Sequence, residues 1–405
     1  MKSSIITIGN ELLGGYTVDS NGTWIGRKLI DIGITTFWKS TVPDDKEEII
    51  NAMSLAVDKA NVVICTGGLG PTNDDLTLEA YCEFVKTELE IDQEYLDELK
   101  YRFKQRGVSM PVINENQALI PRRGTLIPNP KGSARGISCI IDDTWFCILP
   151  GVPSEMKAMM DATVLPELKE MISEELFVSN IRTTGIMESV LYELLANIIL
   201  DTNVSIGFLP GFSGVDIRLT SNDETAVISL AKEIYKLAGK FIYAEDWVTL
   251  EESVGESLRK RGLTLSIAES CTGGLLSDRI TNIPRCSDYF QGGVVCYSDE
   301  SKINLLNVDE KIIKNFGSVS IETATQMAMG VRKKFNADIG ISITGVAGPD
   351  GGTDKKPVGF TCFSLDDGNR PYSSTAKFFN DRRFNKEISA QTALNSIRLR
   401  LSGII

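Results

Sequence analysis

The sequence predicts an α/β multidomain protein. Three observations carry that reading. The chain has 405 residues, more than one hydrophobic core usually supports. Apolar, strand-like runs alternate with amphipathic helical stretches over residues 1–170, and again over residues 249–405. Residues 171–248 break that alternation and read as a small α+β connecting module.

In the first region, "SSIITIG" is a strand, "NGTWIGRKLIDIG" has helical spacing and "TTFWKSTVP" is a strand. "DKEEIINAMSLAVDKA" is an amphipathic helix with an Asp at its start, and "NVVICTGG" is a buried strand. Such βα alternation predicts a parallel sheet covered on both faces. In the middle region "SNIRTTGIMESVLYELLANII" supplies a strand and a helix. "NVSIGFLPGFSGVDIRLTSND" supplies two strands around a Gly-rich turn, and "ETAVISLAKEIYKLAGKFI" a second helix. In the third region a helix ends at Gly262, "LTLSIAES" is a strand, and "CTGGLLSDRITNI" opens a helix. "YFQGGVVCYS" is a strand, "DESKINLLN" a helix, and "SIETATQMAMGVRKKF" a helix that Ser320 can cap. "DIGISITGVAGP" and "KPVGFTCFSL" are strands, and a helix runs from Arg382.

Composition narrows the chemistry. The formal net charge is −12, which disfavours broad contact with a phosphate backbone, and direct nucleic-acid binding is not expected. No apolar run is long enough to span a bilayer and the N-terminus lacks a signal pattern, so no membrane association and a cytoplasmic location are expected. None of the eight cysteines forms a C-x-x-C pair, and they read as small buried hydrophobes in a reducing compartment. The chain contains no histidine. That removes Ser-His-Asp triads, Cys-His dyads and His metal sites. Any general base must be Asp, Glu, Lys, Tyr, Cys, a terminus or water.

Loops that follow strands of an open α/β sheet gather along one edge, where ligands bind. Three in the first region are polar: "GNELLGG", "TGGLGPTNDD" and "LPGVPSEM". Gly67, Gly68 and Gly70 permit tight turns that present N–H groups to an anion. Asp74 and Asp75 then precede a helix, which either can cap; equally, two adjacent carboxylates suit a divalent ion such as Mg²⁺. Glu11 and Asp19 add further carboxylates, and Asn129, Lys131, Ser133 and Arg135 add polar groups in a Gly-containing loop. Together they suggest hydrolysis or transfer at a phosphate, with a metal as Lewis acid.

"TIGNELLGG…DSN", "TGGLGPTNDDLT", "PNPKGSARG" and "LPGVPSEM" resemble the N-terminal domain of CinA proteins over about the first 165 residues. That domain is similar to the molybdopterin-binding fold of the MoaB and MogA proteins. The resemblance implies a divalent-metal-dependent ADP-ribose pyrophosphatase, with Asp74, Asp75, Glu11 and Asp19 toward the metal and Gly67, Gly68, Gly70, Asn129 and Ser133 toward substrate. Asn10 departs from it, standing where a hydroxyl residue is usual.

The third region poses the sharper question. Ser270 in "LSIAESCTGG" stands between a strand and a helix, where it either caps the helix or attacks a substrate. The N–H groups of Thr272, Gly273 and Gly274 at that helix start suit an oxyanion or a phosphate. Cys271 is a rival nucleophile, because a helix N-terminus lowers a thiol pKa. Lys302 serves as a base only if burial or a nearby cation keeps it partly neutral; otherwise it is a solvated charge. Tyr297 can orient the lysine or the substrate.

"AESCTGGLL", "YFQGGVVCYSDESK", "SITGVAGPDGG", "KPVGF" and "NDRR" resemble the CinA C-terminal domain, the nicotinamide mononucleotide deamidase family. The resemblance implies a Ser/Lys amidohydrolase with Ser270, Lys302 and Tyr297 catalytic, and no cofactor in this domain. It places Thr272, Gly273, Gly274, Thr344, Gly345 and Arg382 toward the nucleotide. Asn380 replaces a glycine of the family pattern, and Lys386 sits near a later arginine position. The expectation is therefore a bifunctional homodimer acting on nicotinamide mononucleotide and ADP-ribose. A molybdopterin-binding or adenylylating protein, or a non-enzymatic competence accessory, are the alternatives.

Overall fold

The computed structural model describes every residue except 173–175, 201, 212, 213 and 380. It divides into two compact units, Met1–Leu176 and Phe177–Ile405.

The first unit is built on a six-stranded sheet in the order Thr35–Val42, Lys2–Ile8, Val62–Thr66, Thr144–Leu149, Gly136–Ile141, Thr125–Ile127. Strand residues alternate between faces, and the two faces feed separate cores. Ile5, Ile64 and Cys147 pack with Ile25, Leu29 and Met156 on one side. Ile6, Cys65 and Ile148 pack with Ile49, Met53 and Tyr81 on the other. The Asp expected to start the second long helix is Asp45, whose carboxylate accepts the N–H groups of Glu47 and Glu48. The all-parallel expectation needs correction. Four strands are parallel, but Gly136–Ile141 runs antiparallel to both its neighbours. Its connection to Thr144–Leu149 is the pair Asp142–Asp143, both at positive φ (45° and 65°). A two-residue turn of that kind returns the chain as a hairpin, which forces antiparallel pairing.

The second unit contains two sheets. The first is antiparallel, in the order Ser205–Gly211, Gly214–Ser221, Phe177–Thr183, Ile242–Glu245. One face is buried, with Val215, Ile217 and Leu219 against helices Glu188–Ile199 and Glu224–Ala238. The other sheet has the order Phe290–Val295, Leu265–Glu269, Ile339–Gly345, Phe360–Asp366, Tyr372–Lys377. Its first three strands are parallel and the last two antiparallel. Helix Leu250–Arg261 opens with a capping box between Thr249 and Glu252, and ends at Gly262 in the left-handed conformation. Helix Ile321–Lys334 lies so close to the sheet that a Cβ on Gly340 would meet the Ala328 carbonyl at 2.3 Å. Ser320 caps this helix, as its sequence suggests. The helix expected from "CTGG" begins later, at Leu275; residues 271–274 form a turn. No described helix is long and apolar enough to cross a membrane.

The C-terminal helix, Arg382–Leu401, joins the two sheets of this unit. Gln391 Nε2 donates to Thr184 Oγ1 at 3.0 Å. Buried Arg398 donates from Nη1 to the Ile242 carbonyl (3.1 Å) and from Nη2 to the Lys240 carbonyl (2.7 Å). A charged donor to a neutral acceptor contributes about 1.5–3 kcal/mol, and removing it leaves carbonyls without a partner. Arg398→Met is therefore expected to destabilise the second unit by about 2–4 kcal/mol. Urea unfolding of the full-length chain, followed by tryptophan fluorescence and by circular dichroism, measures the shift.

Candidate active site

Ser270 directly follows the buried strand Leu265–Glu269, and its N–H continues the sheet to the Ile343 carbonyl at 2.9 Å. It is 7% exposed. Gly273 and Gly274 both take positive φ (63° and 97°), which lets the chain double back before the helix Leu275–Thr281. The expectation of outward-facing N–H groups here is corrected in part. Gly273 N–H bonds the Ser270 carbonyl at 3.1 Å, and Gly274 N–H bonds Glu269 Oε2 at 3.1 Å. The reason is Glu269 itself, an acid with no exposed surface that turns back under the loop. Thr272 is fully buried, and its hydroxyl has no partner among the described residues. Sequence reasoning missed Glu269. Its only signal is a charge ending an otherwise apolar strand.

Lys302 lies in helix Asp299–Leu306, which Ser298 caps by accepting the Ser301 N–H. Only 1% of Lys302 is exposed. Nζ stands 3.0 Å from the Cys296 carbonyl, 3.0 Å from the Tyr297 carbonyl and 3.4 Å from Ser270 Oγ. Burial lowers its pKa below the ordinary lysine value of 10.5, against smaller opposing effects of Cys296 and Asp299. Two carbonyls take two of its N–H groups. In the neutral amine the remaining position is a lone pair, and it faces the serine hydroxyl.

Tyr297 does not orient Lys302 through its ring. The residue is 62% exposed, and its phenol oxygen accepts from Arg382 Nη2 at 3.5 Å; only its carbonyl reaches the lysine. Arg382 Nη1 donates to the Gly348 carbonyl at 2.7 Å. The Thr344 hydroxyl donates to the Ser318 carbonyl at 2.8 Å, and Thr344 is fully buried, a structural placement. Gly345 ends the same strand against Thr361. Lys386 reaches over the loop that follows Ser270, with Nζ 3.6 Å from where a Cβ on Gly273 would stand. Asn380 lies outside the described residues. Cys271 sits in an apolar cluster, and burial pushes its thiol up to about 12, opposite to the helix-start effect expected for a nucleophile.

The first unit's loops also close on themselves. Gly67, at φ 115°, approaches the end of the first strand so closely that a Cβ would meet the Ile8 carbonyl at 2.2 Å. Gly68 and Gly70 wall a cavity of about 180 Å³ with Thr72, Asp75, Gln117 and Arg135. Asn129 organises its loop, accepting the N–H groups of Lys131 and Gly132 and donating to Glu155 Oε2. Ser133 donates to Gln117 Oε1, and Gln117 donates in turn to the Leu69 carbonyl. The four carboxylates do not gather. Asp19 caps a helix through Gly22 N–H and pairs with Lys39 at 2.6 Å. Asp75 accepts both the N–H and the hydroxyl of Thr72. Glu11 is exposed and folds over Gly9. Asp74 is exposed beside the Thr72–Asp75 turn. Among the described residues no group of three or more acids or thiols is close enough to hold a metal. Asp74, Asp75, Glu11 and Asp19 thus do not form a preassembled ligand set, because Asp19 and Asp75 are committed within the chain.

Comparisons with known proteins cover the whole length. Residues 248–401 match the family described as the CinA C-terminal domain, 4–170 the probable molybdopterin binding domain, and 179–244 the damage-inducible protein CinA KH domain. A competence-damage inducible protein of Halothermothrix orenii is 40% identical over 97% of both chains. A CinA-like protein of Gloeothece citriformis is 39% identical over 99% of both. Among solved structures, the competence/damage inducible protein CihA of Agrobacterium tumefaciens is 32% identical, covering 38% of this chain and 93% of its own, with a TM-score of 0.37.

The buried thiol gives a direct check. With a pKa of about 12, Cys271 is expected to react with iodoacetamide at pH 8 about 10³-fold more slowly than free cysteine, which titrates near 8.5. Peptide mass spectrometry over a time course measures it, and labelling of Cys271 at the free-cysteine rate would contradict the placement.

Proposed function

The chain belongs to the CinA family, and on that premise we propose that its second unit is a serine–lysine amidohydrolase that converts nicotinamide mononucleotide to nicotinate mononucleotide and ammonia. The observation that carries this reading is the buried Lys302 amine, held by two carbonyls and facing Ser270 Oγ at 3.4 Å. Ser270 Oγ attacks the carboxamide carbon while its proton passes to the Lys302 amine. The tetrahedral adduct expels the amide nitrogen, which takes the proton from Lys302 and leaves as ammonia. Water, deprotonated by Lys302, then cleaves the acyl–Ser270 ester. Tyr297, Arg382 and Lys386 stand exposed or half-buried at the mouth and would hold the ribose and phosphate.

For the first unit we propose hydrolysis of ADP-ribose to AMP and ribose 5-phosphate, supported by the cavity under the Gly68–Gly70 turn. A divalent ion would supply charge neutralisation at the diphosphate, arriving with the substrate rather than waiting in a finished site; exposed Asp74 is the carboxylate placed to meet it. Binding of molybdopterin is the competing reading there. Residues 177–248 carry five Lys or Arg against nine Asp or Glu, so their charge does not favour nucleic acid.

Incubation with nicotinamide mononucleotide and with ADP-ribose, with and without excess chelator, is expected to give chelator-resistant nicotinate mononucleotide and chelator-sensitive AMP, separated by chromatography. Asp74→Ala is expected to abolish the second activity and spare the first. Ser270→Ala and Lys302→Ala should each lower deamidation by about 10²–10⁴-fold, and their losses should not add. Because burial lowers the Lys302 pKa and the base is the neutral amine, deamidation should rise with pH through that titration and level above it. Near-normal turnover in Lys302→Ala would remove the lysine from the mechanism.

A further inference from the structure

Glu269 carries more hydrogen bonds than a helix cap requires. Oε2 accepts the N–H groups of Gly274 and Leu276, both at 3.1 Å. Oε1 accepts the N–H of Ser277 at 2.9 Å and its hydroxyl at 2.7 Å. These backbone donors are the ones a helix start leaves without partners. An ordinary cap lies two or three residues before the N–H it accepts. Glu269 lies five to eight residues before its donors and on the other side of Ser270, so its side chain closes the nucleophile loop like a clasp.

The main chain of the same residue reaches the base. The Glu269 carbonyl accepts the Cys296 N–H at 2.8 Å and the Cys296 thiol at 3.5 Å. The Cys296 carbonyl accepts from Lys302 Nζ. Glu269 therefore touches both supports of the Ser270–Lys302 pair without touching either reactive atom.

We propose that Glu269 is the positioning residue of this site: it sets the separation of Ser270 and Lys302. The proposal rests on Ser270 being the nucleophile, but not on the identity of the amide.

The test measures Ser270 labelling by a fluorophosphonate, in which Oγ displaces fluoride from phosphorus, and steady-state turnover of nicotinamide mononucleotide, both in the full-length chain. In Glu269→Gln, labelling and kcat are expected to fall about 10²-fold, the loss typical of a misplacement near 1 Å. KM should stay within about twofold and the midpoint of the pH profile should not move, since Lys302 remains the base. Ser277→Ala, which removes one of the four bonds and no charge, should give a smaller fall in labelling. Glu269→Asp should rescue less than full activity. Unchanged labelling in a folded Glu269→Gln would overturn the proposal, as would a lowered melting temperature with normal labelling below it. A moved pH midpoint would make Glu269 a proton carrier and overturn the positioning role. If Glu269→Gln does not fold, unchanged labelling in both Ser277→Ala and Glu269→Asp overturns it. A parent chain that labels at Ser270 yet leaves nicotinamide mononucleotide intact would reject the substrate alone; one that never labels at Ser270 would reject the nucleophile and this proposal with it.

Discussion

Everything in the second unit's site depends on keeping one amine away from water. Lys302 is almost wholly enclosed, and no carboxylate among the described residues bonds its Nζ. A carboxylate there would stabilise the ammonium and abolish the base. Neutral carbonyls of Cys296 and Tyr297 satisfy the N–H groups without that penalty. The enclosure is supplied by a small core of Ala268, Cys296, Leu306 and Met327, so packing and proton chemistry are one requirement here. It is also how a chain without histidine could run the acyl transfer proposed above. Burial does for a lysine what an ordinary imidazole brings unaided.

The acid beneath the loop is the counterpart of that amine. Glu269 is as deeply buried as Lys302, yet the two do not bond one another. The acid is satisfied by three N–H groups and the Ser277 hydroxyl, the lysine by two carbonyls. The buried charges are thus handled by the peptide groups of two chain turns rather than by an ion pair. This leaves the lysine free to lose its proton.

Much of this was legible in the sequence where the signal is local. Asp45, Ser320 and Gly262 stand at helix ends for reasons confined to a few neighbours, and apolar runs marked Lys2–Ile8 and Leu265–Glu269. The antiparallel edge of the first sheet was not legible, because two aspartates at positive φ do not announce a hairpin as Asn-Gly does. Asp19 and Asp75 illustrate the harder limit. A carboxylate beside a helix start reads equally as a ligand or a cap, and only Lys39 and Thr72, brought in by the fold, decide how each is used. Glu269 was invisible for the same reason, since its donors lie beyond a turn whose course no periodicity describes. Of the two roles expected for Tyr297, orienting the lysine falls to its carbonyl rather than its ring, a distinction between backbone and side-chain atoms that sequence does not make.

The C-terminal helix has a consequence for how this chain tolerates change in length. Arg382 and Lys386, at the mouth, lie on its first turns, and Arg398, which grips the carbonyls of Lys240 and Ile242, lies on its last. An α-helix advances about 1.5 Å and turns about 100° per residue, so the two ends stand about 24 Å apart in a fixed angular phase. Inserting a single residue between Lys386 and Arg398 would rotate one end by about 100° against the other. Either the mouth residues would swing off the recess or the arginine would lose its carbonyls. Only a change of about whole turns would keep both ends in phase, a constraint that individual substitutions never meet.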